Sequence, residues 1–304
     1  MKRVVACALA LCLTVCLFAG TASAAAREPI SKFTIPLADN VNLIEMTHAG
    51  GIFTDPKDVL QQHALTYQPG GDVQPMVIYG STLYGRSTMS KIATYLDNQN
   101  LSLVAGVNGS FFDMSTGIPY GFLVTDGVLR TSGNVNSVGF FKNGSAIIAS
   151  PDLHVLLTGG AFSDTEIFYN KVLTTTNGIG LYSRDYDTAT KNTVSAYNLV
   201  LKPVSGSDSE LTLSGEMTLE VTKITQSAAS CAIPAGGFVL SIAEQTSYAS
   251  VLANMKAFKV GDRVTVSVRC ADEWEDVAYA CGGGDLLVED ENALENFTLD
   301  TKNE

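Results

Sequence analysis

Positive charge is scarce in this sequence: 19 Lys and Arg stand against 31 Asp and Glu, for a formal charge of −12. Phosphate backbones are held by basic surfaces, so nucleic acid is excluded as a partner. No polybasic stretch offers attraction to an anionic membrane. Histidine is scarcer still. His48, His63 and His154 are scattered, with neither H-x-H nor H-x-x-x-H spacing, and no two of the later cysteines lie at C-x-x-C spacing. The sequence therefore carries no metal motif, and it calls for no cofactor. Among the acidic residues, eleven Asp or Glu and one Lys fall between Asp272 and Glu304. That stretch lacks the D-x-D-x-D-G spacing of a calcium loop and reads as a solvated C-terminal segment.

What is present starts with apolar residues, 46% of the 304, against 16% charged, enough for a packed core rather than wholesale disorder. The long apolar run lies at the N-terminus. Lys2 and Arg3 precede an almost wholly apolar Val4 to Ala19, and Ala22-Ser23-Ala24 supplies a small-x-small cleavage signal. Residues 1–24 are expected to be a signal peptide, leaving a secreted or cell-surface protein with no stable membrane anchor. Cys7, Cys12 and Cys16 leave with it; Cys231, Cys270 and Cys281 remain. An odd number permits one bridge and one free thiol. Cys231 and Cys270 border β-type runs of the same region, so they are the expected pair in an oxidising compartment. Cys281, before three glycines, is expected to be buried and free.

The periodicity is mostly that of strands and turns, and it predicts an α+β protein: a mixed or antiparallel sheet with a few helices, plus an inserted β-rich subdomain. "VNLIEMTHA" (Val41 to Ala49) alternates and reads as a strand; "DVQPMVIYG" reads as a second, with Pro75 at its edge. "GRSTMSKIATYLDNQN" is the clearest helix, with Ser87 as its cap and Met89, Ile92, Ala93 and Leu96 as its stripe. Leu101 to Val107 reads as a short strand buried on both sides. Two hairpins follow, turning at Asp126-Gly127 and Asn143-Gly144, pairs that tolerate the positive φ of a tight turn. From Val194 to Cys270 come four further β-type runs, "AYNLVLKPV", "MTLEVTKIT", "GGFVLSIAE" and "DRVTVSVRC", with a helical "SYASVLANMKAF" before the last.

One stretch is chemically dense. In "VNGSFFDMSTGIPYGF", Gly109 lets the backbone turn after Asn108, whose amide can both donate and accept. Phe111 and Phe112 follow, and Asp113 is the nearest carboxylate. The bland account is a turn whose aromatics enter the core. The stretch, however, resembles the N-G-x-F-F segment of the phosphodiester glycosidase family. The likeness runs on through "SVGFFKNGSAIIA". It resumes at "ACGGGDLLVED", which looks like the family's G-G-G-P-x-L-V-x-D-G stretch, with Asp285 in place of proline and Glu291 in place of glycine. The family's later R-T-A-x-G and D-G-G-G-S-S motifs have no counterpart, so the sequence looks like the first part of a family domain.

The resemblance implies the following. Residues 25–158 would be the first part of the glycosidase domain, 159–270 an inserted β-rich subdomain, and 271–304 the continuation of the domain. The protein would hydrolyse a sugar-1-phosphodiester, of the N-acetylglucosamine-phosphodiester kind, on an extracellular or cell-wall glycan. Asp113 would be the catalytic carboxylate. Asn108, Gly109, Phe112, Tyr120 and the backbone of Gly282, Gly283 and Gly284 would contact substrate, with Phe112 and Tyr120 as walls. Asp126 reads better as a turn residue. The missing motifs would leave that activity weak or absent, and the competing expectation is a non-catalytic secreted glycan-binding module or remnant.

Overall fold

The computed structural model describes residues 29–49, 59–289 and 292–293. The expected signal peptide, residues 1–24, and residues 290–291 and 294–304 of the acidic C-terminal segment lie outside the described residues. Two compact units divide at Gln68 and Pro69. In the first, β1 (Ser31–Ala38), β2 (Val41–Ala49) and β3 (Val59–Tyr67) form an antiparallel sheet in the order β1-β2-β3. The Asn40 side-chain amide donates to the Gln68 carbonyl at 2.9 Å and ties the β1–β2 turn to the end of β3.

The second unit holds two larger sheets. The smaller has the order β5-β4-β16-β6-β7, from β4 (Leu123–Thr125), β5 (Val128–Thr131), β6 (Ser137–Phe141), β7 (Ala146–Ala149) and β16 (Val277–Gly282). Both expected turns are made. Asp126 and Gly127 adopt φ of 54° and 74° between β4 and β5, and Gly144 adopts 83° between β6 and β7. Asn143 Oδ1 accepts from the Ser145 amide at 2.9 Å, which closes the second turn. The strand β16 sits between β4 and β6, so residues 154–269 are inserted within this sheet's chain path.

The inserted residues build the larger sheet from β8 (His154–Gly159), β9 (Phe162–Glu166), β10 (Phe168–Tyr169), β11 (Ile179–Tyr182), β12 (Ala196–Pro203), β13 (Glu216–Ala228), β14 (Phe238–Ala243) and β15 (Arg263–Arg269). Its order is β10-β11-β14-β12-β13-β15-β8-β9. Alternation sorts its two faces. Leu199 and Leu201 of β12, with Phe238, Leu240 and Ile242 of β14, join the main core, which also holds Phe122, Trp274 and Met255. Val200, Val239 and Ala243 face the other way, into a second cluster with Tyr182, Tyr186 and Cys231. Each such aliphatic side chain removed from water contributes about 1.5–3 kcal/mol. The fold is thus sheet-rich α+β, as the periodicity predicts, with two helices among the described residues, α1 (Met89–Asn98) and α2 (Ala249–Ala257).

Four expectations need correction. The cap of α1 is Thr88, not Ser87: its side chain accepts from the Lys91 amide at 3.4 Å. "DVQPMVIYG" and Leu101 to Val107 are not strands. A strand needs a partner, and among the described residues no backbone–backbone hydrogen bond involves residues 74–82 or 102–110. The second run is not buried either, since Leu103 and Val107 are 44% and 74% exposed. Finally, Cys231 and Cys270 are free thiols. Cys231 packs in the second cluster and Cys270 against the main core, so the larger sheet stands between them. Cys281 is also free, as expected, though only half-buried.

Candidate functional site

The segment from Ser110 to Gly121 is a tight hairpin. The Tyr120 amide donates to the Phe111 carbonyl and the Asp113 amide to the Ile118 carbonyl, both at 2.9 Å, with Phe112 bridged to Pro119. Asp113 closes its tip. Oδ1 accepts from the amides of Ser115 and Thr116 at 2.9 and 2.8 Å and from their hydroxyls at 2.5 and 2.9 Å. Those bonds, the Ser115 hydroxyl foremost, favour the ionised form and hold the Asp113 carboxyl below the usual range. Gly117, at φ 80°, has no room for a side chain, because a methyl group there would run into the Gly85 carbonyl.

The hairpin lies alongside the end of β16. A methyl group placed on Gly109 would come within 3.3 Å of Cys281 Sγ, and one on Gly284 within 3.4 Å of the Phe111 ring. Between them, a methyl on Gly282 would meet Ser110 Oγ at 3.1 Å and the Gly121 Cα at 2.6 Å. The Gly282 amide donates to the Phe122 carbonyl at 3.1 Å, and the Gly283 amide to Asn136 at 2.7 Å. So the structure brings Gly109, Ser110 and Phe111 against Cys281, Gly282 and Gly284, although more than 160 residues separate them in the chain. They do not sit on paired strands, because the Asn108 side is not a strand. Asn108 is exposed, as are Phe112 at 40% and Tyr120 at 60%. Burial pushes the Cys281 thiol up, which suits packing rather than reactivity.

Residues that sequence reasoning passed over hold this hairpin. The Lys171 ammonium donates to three successive carbonyls, Pro119, Tyr120 and Gly121, at 2.5, 3.0 and 2.9 Å. Burial lowers its pKa to about 7. The Gly85 amide donates to the Thr116 carbonyl at 2.7 Å, while Leu83 and Tyr84 pair with the backbone of Asp185 and Tyr186. Asp185 is itself a hub: it accepts from the Tyr79 hydroxyl at 2.9 Å and from Arg130 Nη1 at 3.0 Å. Burial works against the Arg130 charge, and Asp185 beside it offsets that, so the guanidinium pKa is raised. No local pattern marks Lys171 or Asp185, because every partner just named for Lys171, and Tyr79 and Arg130 for Asp185, is distant in sequence. Asp126, read as a turn residue, adds a hydrogen bond from the Tyr279 hydroxyl.

No family model matches the chain. No curated protein matches it either. The fold is found among solved structures. A crystal structure of a hypothetical protein from Synechocystis superposes with a TM-score of 0.63 at 16% identity, over 88% of this chain and 46% of that one. A protein from Burkholderia pseudomallei K96243, provisionally described as exported, gives a TM-score of 0.47 at 15% identity, over 81% of this chain and 49% of that one. The chain therefore spans about half the length of the solved structures it matches. At this identity the Synechocystis likeness is one of fold. Among the described residues, no group of three or more His, Cys, Asp or Glu is placed to hold a metal ion, and no helix is long and apolar enough to cross a membrane.

Proposed function

We propose that the protein is an exported phosphodiester glycosidase-like protein acting on a sugar-1-phosphodiester of an extracellular or cell-wall glycan. The observation that carries this reading is the approach of the Asn108–Asp113 segment to Gly282–Gly284. These are the two stretches that resemble the family, and their glycines let the two backbones pack closely against each other. The exposed rings of Phe112 and Tyr120 supply apolar walls for a sugar face. Asp113, ionised and pinned through Oδ1, offers Oδ2 as a base or as an electrostatic partner for an oxocarbenium-like centre. A carboxyl held below its usual range is a poor proton donor near neutrality, so protonation of the leaving group falls to another residue or to water.

A second reading, a non-catalytic glycan-binding module, is favoured by one observation: four hydrogen bonds converge on Asp113 Oδ1, which is what a purely structural turn residue would show. The deciding experiment offers the protein an N-acetylglucosamine-1-phosphodiester and follows release of the free sugar. Turnover that Asp113→Asn abolishes, with hairpin and binding intact, supports the hydrolase. Binding without turnover supports the module. Neither binding nor turnover overturns both.

A further inference from the structure

The larger sheet closes on itself at one seam. Its two end strands, β9 and β10, follow one another in the chain with only Ile167 between them. β9 pairs with β8 and β10 with β11, and the Ile167 amide donates to the Val155 carbonyl at 2.9 Å. Where the strand passes from one neighbour to the other, the barrel-like sheet leaves a cavity of about 490 Å³. Leu153, Val155, Ile167, Ile179 and Val251 give it apolar lining, while Asn134, Thr165, Glu166 and Tyr248 add polar groups. Mouths of closed sheets are recurrent ligand sites, and this volume lies within the usual range of roughly 300–1,000 Å³.

The unspent hydrogen-bonding capacity at this mouth is specific. Glu166 Oε1 meets His154 Nδ1 at 3.1 Å, which leaves Oε2. Asn134 Oδ1 accepts from the Ser150 hydroxyl at 3.4 Å, which leaves both amide hydrogens. Among the described residues, neither the Thr165 hydroxyl nor the Tyr248 hydroxyl has a protein partner. Tyr248 is 45% exposed, so part of its ring is uncovered. No Lys or Arg lines the cavity, and Asp152, 3.4 Å from His154, brings a second carboxylate to the region. That charge balance disfavours a phosphate or carboxylate ligand.

The geometry points to a second binding site, at the mouth of the closed sheet, for a neutral pyranose segment of a glycan chain. The sugar's C–H face packs on Tyr248 and the apolar lining, and its hydroxyls meet Asn134, Thr165 and Glu166. Only the choice of an N-acetylglucosamine oligomer as first probe rests on the proposed function; the class of ligand does not.

The test is saturation-transfer NMR and calorimetry on the whole protein, with chitotriose and cellotriose as neutral probes and N-acetylglucosamine-1-phosphate as the anionic one. A neutral trisaccharide is expected to bind, and Tyr248→Ala and Thr165→Val each to weaken it about tenfold, the equivalent of roughly 1.4 kcal/mol. Tyr248 makes no side-chain cap bond to α2, so its replacement spares the helix. Trisaccharide affinity that persists in Asp113→Asn supports a site separate from the hairpin even if phosphodiester turnover is absent. Three results overturn the inference: neither trisaccharide binds, binding ignores both variants, or the sugar phosphate competes at equal strength.

Discussion

Gly121 and Gly282 stand back to back, so close that a methyl group on either would lie 2.6 Å from the other's Cα. Neither has a positive φ, so the demand for glycine here is one of space. Backbone cannot step aside as a flexible side chain can. Gly282→Ala is therefore expected to cost about 1–3 kcal/mol through overpacking. Gly284→Ala, two residues on, meets only the Phe111 ring at 3.4 Å and is expected to stay within about 0.5 kcal/mol of the parent. Urea unfolding of both variants checks the pair, and equal midpoints would contradict the packing.

Asp113 sets the order of the hairpin tip. Its carboxyl is held below the usual range, so the tip's stabilisation is present above that range and is lost as pH falls through the lowered pKa. A ¹³C carboxyl titration is expected to find Asp113 among the last carboxylates to protonate. Asp113→Ala should raise amide exchange at Ser115 and Thr116 and leave the larger sheet protected. Unchanged exchange at those two amides would show that the tip does not depend on the carboxylate.

Lys171 gives a pH dependence of the same sign, in a higher window. In the folded protein its pKa is lowered to about 7 by burial. In the unfolded chain it lies near 10.4. Between those values the unfolded state binds more protons, so stability rises with pH through this window, and the cost of the buried charge is full below it. The unfolding free energy of the parent, taken relative to Lys171→Met, should grow from pH 7 to pH 9. A difference that stays flat, or shrinks, would mean that the three carbonyls retain the proton.

The Arg130–Asp185 pair is mostly buried, with side chains 14% and 26% exposed. Removing the carboxylate charge leaves Arg130 its hydrogen bond to the Thr125 hydroxyl at 2.7 Å and, among the described residues, Glu210 at 3.6 Å on the exposed side as its ion partner. Asp185→Asn is expected to cost about 2 kcal/mol, less than a fully buried pair because water reaches both groups. Thermal unfolding measures it, and a neutral outcome would place Asp185 outside the network.

Peptide mapping after alkylation without reduction is expected to find Cys231, Cys270 and Cys281 all modified, Cys231 slowest because it is buried. A Cys231–Cys270 cross-link would require the two faces of the sheet to be rearranged.

How much of this was legible beforehand depended on how local each cause is. Asp126-Gly127 and Asn143-Gly144 announce their turns because the φ demand sits in two adjacent residues. The alternation of β15 needs no knowledge of its partners. By contrast, "DVQPMVIYG" and Leu101 to Val107 look like strands by composition, but a ladder depends on a neighbour that composition does not name. The Cys231–Cys270 pairing failed for a similar reason: sharing a region does not put two thiols on one face. At the site, the glycines and aromatics of the hairpin stood out in the sequence. Its Lys171 clamp did not, since its acceptors are main-chain carbonyls about fifty residues earlier, which any residue type could supply.

Closure at Ile167 has a consequence for the protein's behaviour at high concentration. A sheet whose first and last strands are one continuous run leaves only the short outer edge of β9 and the two-residue β10 without a second strand neighbour, so the larger sheet offers a neighbouring molecule little edge to pair with. Residues 102–110 have no backbone ladder of their own, and the apolar Leu103 and Val107 there are open to solvent. If the protein self-associates on storage, cross-β growth would begin there, and a charged residue at Val107 would be the simplest gatekeeper.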